Sequence, residues 1–162
     1  MPYKEDMRER DIFFSTLLPY FKTDEKIYVL YADIACEAMD NFREFAPNRC
    51  INVGIAEQNM IALAAGLTLE GVRVYTYTIL SFFLRAMEQI RILANSMNLP
   101  IIMVGCGKDK GYLEDGYTHY AIEDIGIMSQ LKNIKIWDGG DFKELINETL
   151  TTKKPMYVRL GK

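Results

Sequence analysis

The sequence predicts one α/β domain with a mainly parallel sheet covered by helices on both faces, a three-layer α/β/α arrangement. Short apolar runs, rich in β-branched and aromatic residues, alternate with helical patterns along the chain. This alternation is typical of parallel strands joined by crossover helices. A length of 162 residues suits a single domain that buries its own core, so we expect one domain over residues 1–162.

The individual elements follow from hydrophobic periodicity and from glycine and proline positions. The predicted helices are 7–21, a short one within 37–48, 56–70, 79–98, 121–131 and 141–151. The predicted strands are 26–32, 72–78, 100–105, 134–137 and 156–160. Between the third strand and the fifth helix lies a loop, 105–120, with four glycines. A loop of that length in a compact domain is often functional.

Composition excludes several classes of function. A net charge of −3, without a basic run, gives no case for binding nucleic acid. The sequence contains no stretch of about 18 uncharged apolar residues, so we expect no membrane span. The charged N-terminus does not resemble a signal peptide. Three cysteines and the single His119 fit no zinc spacing, so we expect buried thiols and no metal site. The simplest setting is the reducing cytoplasm.

The most informative stretch is Asn52–Met60. Gly54 permits a tight turn, and a helix should begin near Ala56, which places Glu57 in its first turn. One interpretation is that Glu57 complements the positive end of the helix dipole. The other follows from the apolar flanks, which indicate a buried carboxyl group. Because a buried acid is costly without a partner, Glu57 is also a candidate for proton chemistry.

Four segments together resemble the pyrimidine-binding domain of the transketolase family of thiamine diphosphate enzymes. They are Asn52–Met60, Thr78–Arg91, Glu114–Asp124 and Tyr157–Lys162. The resemblance runs in order from about Met7 to the C-terminus. It implies the thiamine diphosphate-binding fold of that domain.

The resemblance assigns a cofactor site. Glu57 matches the carboxyl group that hydrogen-bonds the cofactor's pyrimidine ring and promotes deprotonation of its thiazolium carbon. Phe82 matches an aromatic residue that stacks on the pyrimidine, although it could equally be ordinary core beside Phe83. Ile79 lies where family members often have another aromatic residue and can give only apolar contact here, and Ile34 matches an apolar residue that lies near the ring.

The resemblance also assigns substrate contacts. Asp115 matches an acidic residue that binds a donor hydroxyl, and His119 matches a histidine that orients the substrate or moves a proton. Arg85 matches an arginine of the deoxyxylulose-phosphate synthase branch. It could hold a carboxylate or phosphate, or simply pair with Glu88.

Other positions depart from the family pattern. Arg8 and Lys162 lie where the family has phosphate-binding arginines, so both are candidate substrate contacts. Gly107 replaces a histidine early in the loop, and Leu113 replaces a glycine before the acidic pair. These changes put the usual pentose-phosphate acceptor in doubt.

The sequence lacks the Gly-Asp-Gly motif, followed by Asn, that holds Mg²⁺ and the diphosphate on the family's other domain. It also lacks the family's C-terminal domain. The resemblance therefore implies a split enzyme in which a diphosphate-binding, N-terminal-section subunit is the partner. A heterotetramer with self-association is the expected assembly.

The implied activity is transfer of a two-carbon ketol unit from a ketose to an aldose-like acceptor, with sugar or sugar-phosphate substrates. One alternative is a deoxyxylulose-phosphate-synthase-like or 2-oxo-acid decarboxylating subunit. Another is a binding or regulatory relic of the fold without catalysis.

Overall fold

The structure, a computed structural model, describes residues 7–162. Six parallel strands in this range form one sheet, in the order β2-β1-β3-β4-β6-β5. The strands are Ile27–Tyr31 (β1), Cys50–Asn52 (β2), Arg73–Ile79 (β3), Ile102–Cys106 (β4), Lys135–Trp137 (β5) and Met156–Leu160 (β6).

Helices connect the strands and cover the sheet. They are Glu9–Thr23 (α1), Glu37–Phe45 (α2), Glu57–Leu69 (α3), Met87–Gln89 (α4), Asp124–Met128 (α5) and Phe142–Thr151 (α6). The short α4 is the middle of a continuous helical segment, with a 3₁₀ stretch at Leu80–Ala86 before it and a π stretch at Ile90–Ser96 after it.

The sheet separates two apolar cores. Successive residues of β3 point to opposite faces, so Tyr75 and Tyr77 join one core while Val74 joins the other. The first core holds side chains of α1, α2 and α6, and the second holds those of α3, the helical segment 80–96 and α5. The predicted three-layer arrangement is confirmed.

Three element predictions need correction. Strand β2 was not predicted, because it has only three residues and ends in the polar Asn52. The predicted helix 79–98 is not uniform, and Ile79 is the last residue of β3 rather than the first of a helix. The predicted helix 121–131 is shortened to α5, since the backbone N–H of Ala121 donates to the carbonyl of Asp109 at 2.8 Å and holds Ala121 in the loop.

Local signals for the ends of elements are confirmed. Asp141 caps α6 by accepting hydrogen bonds from the backbone N–H groups of Lys143 and Glu144. Gly71, with φ of +77°, follows the end of α3 in a conformation that glycine adopts without strain. Within residues 7–162, the structure contains no helix of the length and apolarity required to cross a bilayer.

Phe14 is the centre of the aromatic packing in the first core. It is fully buried and meets the rings of Phe13, Phe42 and Tyr77 edge-on at 5.0–5.8 Å. We expect Phe14→Ala to lower the free energy of unfolding by about 3–5 kcal/mol, because it leaves a cavity. Phe45→Ala is the matched control, since that ring is 50% exposed. Urea denaturation measures both, and equal losses would contradict this account of the core.

Candidate active site at the carboxyl ends of the strands

The candidate residues gather where parallel strands end, the usual place for ligands in an open α/β sheet. Ile34 follows β1, Ile79 ends β3, the loop 107–123 follows β4, and Lys162 follows β6. The topology thus brings together segments that are far apart in sequence.

Asn52 organises the entry to the helix that carries Glu57. Its side-chain oxygen accepts hydrogen bonds from the backbone N–H groups of Gly54 at 2.9 Å and of Asp33 at 3.1 Å. Its amide nitrogen donates to the Asp33 carboxylate at 3.0 Å. Gly54 makes the turn at φ +76°. The chain therefore enters α3 at Glu57, close to the end of β1.

Glu57 is a buried carboxylate with only one of its oxygens satisfied. The residue is 1% exposed, and its Oε2 accepts a hydrogen bond from Arg85 Nη1 at 3.3 Å. Its Oε1 is buried and has no hydrogen-bond partner among the residues that the structure describes. An unsatisfied buried acceptor is costly, so this oxygen is suited to a ligand with an N–H or O–H donor. The expectation of a buried Glu57 is confirmed.

Arg85 does not pair with Glu88, the protein partner that the sequence suggested. It pairs with Glu57, whereas Glu88 pairs with Arg91 at 3.0 Å. The Arg85 side chain is 52% exposed, so it reaches the buried carboxylate from the surface. Its guanidinium also lies 5.2 Å from the centre of the Phe82 ring, a cation–π distance.

Phe82 provides a partly open aromatic surface beside Glu57's partner. Phe83 is fully buried in the second core, whereas Phe82 is half-buried and packs against the first core, the cluster to which Ile79 belongs and against which Ile34 also packs. The ring of His119 meets Phe82 edge-on, with 5.1 Å between ring centres. Phe82 therefore lies between Arg85 and His119.

The loop after β4 supplies His119 and Asp115. Thr118 Oγ1 lies 3.0 Å from His119 Nδ1 and restrains the imidazole. Ser81 Oγ donates to the carbonyl of Thr118 at 3.1 Å, which ties this part of the loop to the residue before Phe82. Asp115 ends a 3₁₀ turn, and its side chain is exposed. The structure thus brings His119 to the aromatic surface and leaves Asp115 at the solvent edge.

Tyr112 links the loop to the remaining candidates, a role that the sequence reasoning missed. Its ring centre is 6.0 Å from that of His119, and Lys162 Nζ lies 4.9 Å from it. The Tyr112 hydroxyl accepts a hydrogen bond from Arg10 Nη1 at 2.9 Å, and burial raises the pKa of that hydroxyl. Arg8 lines a cavity of about 600 Å³ with Arg10 and Glu37, among others.

The three cysteines are all buried and unpaired. Burial raises the pKa of Cys36 to about 12 and that of Cys50 to about 11, so both thiols stay protonated near neutral pH. Within residues 7–162, no group of three His, Cys, Asp or Glu side chains is arranged to hold a metal ion.

This chain resembles proteins of one known family. The family model described as "Transketolase, pyrimidine binding domain" matches residues 6–162. A 6-deoxy-6-sulfo-D-fructose transketolase subunit from Clostridium sp. (strain MSTE9) is 31% identical, over 98% of this chain and 52% of that protein. A putative transketolase C-terminal section from Methanocaldococcus jannaschii is 36% identical, over 90% of this chain and 48% of that protein.

A solved structure described as a split gene transketolase, inactive beta4 tetramer, is also similar. It superposes with a TM-score of 0.83 at 29% identity, covering 96% of this chain and 51% of that one. The chain therefore spans about half the length of these relatives.

The ion pair between Arg85 and Glu57 yields a stability prediction. We expect Arg85→Met to lower the free energy of unfolding by about 1–2 kcal/mol, because it leaves a buried carboxylate unpaired. The loss is smaller than for a fully buried ion pair because the arginine is half-exposed. Arg91→Met is the matched control on the same helical segment, since its pair with Glu88 is solvated and should change stability by less than about 0.5 kcal/mol. Urea denaturation of both variants decides, and equal effects would show that Glu57 does not depend on Arg85.

Proposed function

This chain belongs to the transketolase pyrimidine-binding domain family, and we propose that it is the pyrimidine-binding half of a two-chain, thiamine diphosphate-dependent transketolase. One relative is itself described as a subunit. Another relative is described as a putative C-terminal section of a transketolase, which supports a division of the enzyme between chains.

The observation that carries the proposal is the free, buried Oε1 of Glu57. An aminopyrimidine presents a ring nitrogen that can share a proton with such an oxygen. The half-buried Phe82 offers an aromatic face close by, and Ile79 and Ile34 add apolar surface in the same cluster. The residues present therefore fit the pyrimidine ring of thiamine diphosphate. When bound, that cofactor supplies a carbon nucleophile which the twenty amino acids lack.

Glu57 has the central chemical role in this proposal. With the cofactor bound, its Oε1 would hold a proton at a nitrogen of the pyrimidine ring. Arg85 fixes the other oxygen and so sets the direction of the carboxylate. Burial excludes water from the exchange of this proton, which strengthens the hydrogen bond.

Substrate contacts come from the loop and from the C-terminus. His119, beside the aromatic surface, is placed to donate a hydrogen bond to a substrate oxygen or to move a proton. Asp115 is placed to accept a hydrogen bond from a substrate hydroxyl. Arg8, which lines the cavity with Arg10 and Glu37, and Lys162, beside the Tyr112 ring, carry positive charge that suits an anionic group on the sugar. The relative that acts on 6-deoxy-6-sulfo-D-fructose is consistent with a ketose donor of this kind. We assign the reaction as transfer of a two-carbon ketol unit to an aldose-like acceptor.

The partner in this proposal is an N-terminal-section chain that holds Mg²⁺ and the diphosphate. Large apolar side chains near the site favour such a contact: Ile55 is 73% exposed and Leu63, on α3, is 38% exposed. The related split-gene tetramer of one chain type is described as inactive, which supports the need for a second chain. We assign the assembly as a heterotetramer. We place its activity in carbohydrate metabolism in the cytoplasm.

Substitution of Glu57 tests the proposal. In the reconstituted two-chain enzyme, we expect Glu57→Gln and Glu57→Ala to lower kcat by about 10²–10⁴-fold, because neither side chain can exchange a proton with the ring. Glu70→Gln, at the exposed far end of α3, is the control and should keep full turnover. Turnover is followed as consumption of a ketose donor with an aldose acceptor.

Three results would contradict the proposal. Full activity of Glu57→Gln would remove the carboxylate from the chemistry. Release of CO₂ from pyruvate, without ketol transfer, would indicate the decarboxylating alternative. Absence of both turnover and cofactor binding in every reconstituted mixture would favour a regulatory relic of the fold.

A further inference from the structure

A buried ion cluster lies beside the candidate site and takes no part in the chemistry described so far. Arg159, on β6, has a side chain only 3% exposed. It donates to both oxygens of Asp124, from Nε at 2.7 Å and from Nη2 at 3.2 Å. Asp124 is fully buried and also accepts from the Tyr157 hydroxyl at 3.0 Å. This pair forms a rigid base at the end of the sheet.

The same guanidinium holds both ends of the loop that carries His119. Its Nη2 donates to Asp109 Oδ1 at 3.0 Å, where the loop begins, and to the Ala121 carbonyl at 3.2 Å, where the loop ends. The backbone N–H of Ala121 completes the closure by donating to the carbonyl of Asp109 at 2.8 Å. Asp115 and His119 lie between these two points.

A second arm of the guanidinium reaches a residue outside the loop. Arg159 Nη1 donates to Asp138 Oδ2 at 2.7 Å, and Asp138 follows β5. Burial alone would lower the pKa of Arg159, but its hydrogen bonds to Asp124 and Asp109 and the nearby carboxylates raise it above its ordinary value. The guanidinium is therefore permanently charged.

We propose that Arg159 is a positioning residue. It holds Asp109 and Ala121 together, which form the neck of the loop after β4, and thereby sets His119 against Phe82. The inference deepens the proposed function and rests on it for its catalytic consequence. The alternative is that the cluster only stabilises the fold. The positioning role and the stabilising role are separable at Asp109. This residue lies at the neck of the loop, but its side chain is 75% exposed, so its pair with Arg159 adds little stability.

The test compares two variants that each remove one carboxylate from Arg159. Asp109→Asn removes the charge from the contact on the loop and leaves only a weaker, neutral hydrogen-bond acceptor, and Asn suits the left-handed backbone at this position, where φ is +57°. Asp138→Asn is the matched control, since it loses the contact on the other side of the guanidinium. Asp138 also lies 4.0 Å from Lys108, which precedes Asp109 in the loop, but that distance is too long for a hydrogen bond, so Asp138→Asn chiefly affects the contact with Arg159.

His119 is the only histidine in the chain, so its imidazole gives one assignable NMR signal. The rings of Phe82 and Tyr112, at 5.1 and 6.0 Å, shift that signal by their ring currents. We expect Asp109→Asn to move the chemical shift of the imidazole toward its value in the unfolded chain and to broaden the signal. Asp138→Asn should leave the chemical shift unchanged. In the reconstituted enzyme, we expect Asp109→Asn to lower kcat/KM by roughly 10–100-fold, with cofactor affinity unchanged.

The outcomes separate this inference from the proposed function. A His119 signal that Asp109→Asn leaves unchanged, or that both variants change equally, would overturn the positioning role. A shifted signal with unchanged kcat/KM in an active enzyme would also overturn it. If the wild-type mixture shows no turnover, that failure counts against the proposed function, and the NMR comparison alone decides whether Arg159 holds the loop.

Discussion

The desolvation of one carboxylate is the constraint on which the rest of the site depends. Glu57 is nearly inaccessible to water, and a charge in that position requires compensation. The helix N-terminus and Arg85 supply part of it, since the first offers partial positive charge and the second an ion pair. The remaining oxygen, Oε1, has no hydrogen-bond partner within residues 7–162. A domain that carries this cost gains a strong acceptor for one ligand donor, which is the property that the chemistry of thiamine diphosphate requires.

The fold brings the other groups to this carboxylate through one edge of the sheet. Asn52 connects the end of β1 with the turn before α3, and Phe82 connects Arg85 with His119. The loop that bears His119 is long and has little regular structure, so its position depends on backbone and side-chain contacts at its ends. A buried arginine with bidentate and backbone contacts is well suited to that task because its planar fork has five donors in fixed directions.

Much of this was predictable from the sequence, and the failures have physical reasons. The parallel α/β fold followed from alternating patterns, and the burial of Glu57 followed from its apolar flanks. Strand β2 escaped because three residues carry too little periodicity to detect. The pairing of Arg85 with Glu57 depends on tertiary packing, whereas local spacing equally allowed Glu88. The cluster at Arg159 did leave a signal, since a charged residue within a predicted buried strand requires a partner, but its partners lie 21–50 residues away.

The central claim, that this chain holds half of a thiamine diphosphate site, is tested most directly by calorimetric titration of the cofactor with Mg²⁺. The titration is made into the purified chain alone and into its mixture with the product of the adjacent reading frame, with assembly mass measured in parallel. The account predicts heat of binding only in the mixture, together with a larger assembly. Tight binding to the isolated chain, or binding to the mixture that survives Glu57→Ala with unchanged affinity and turnover, would contradict it.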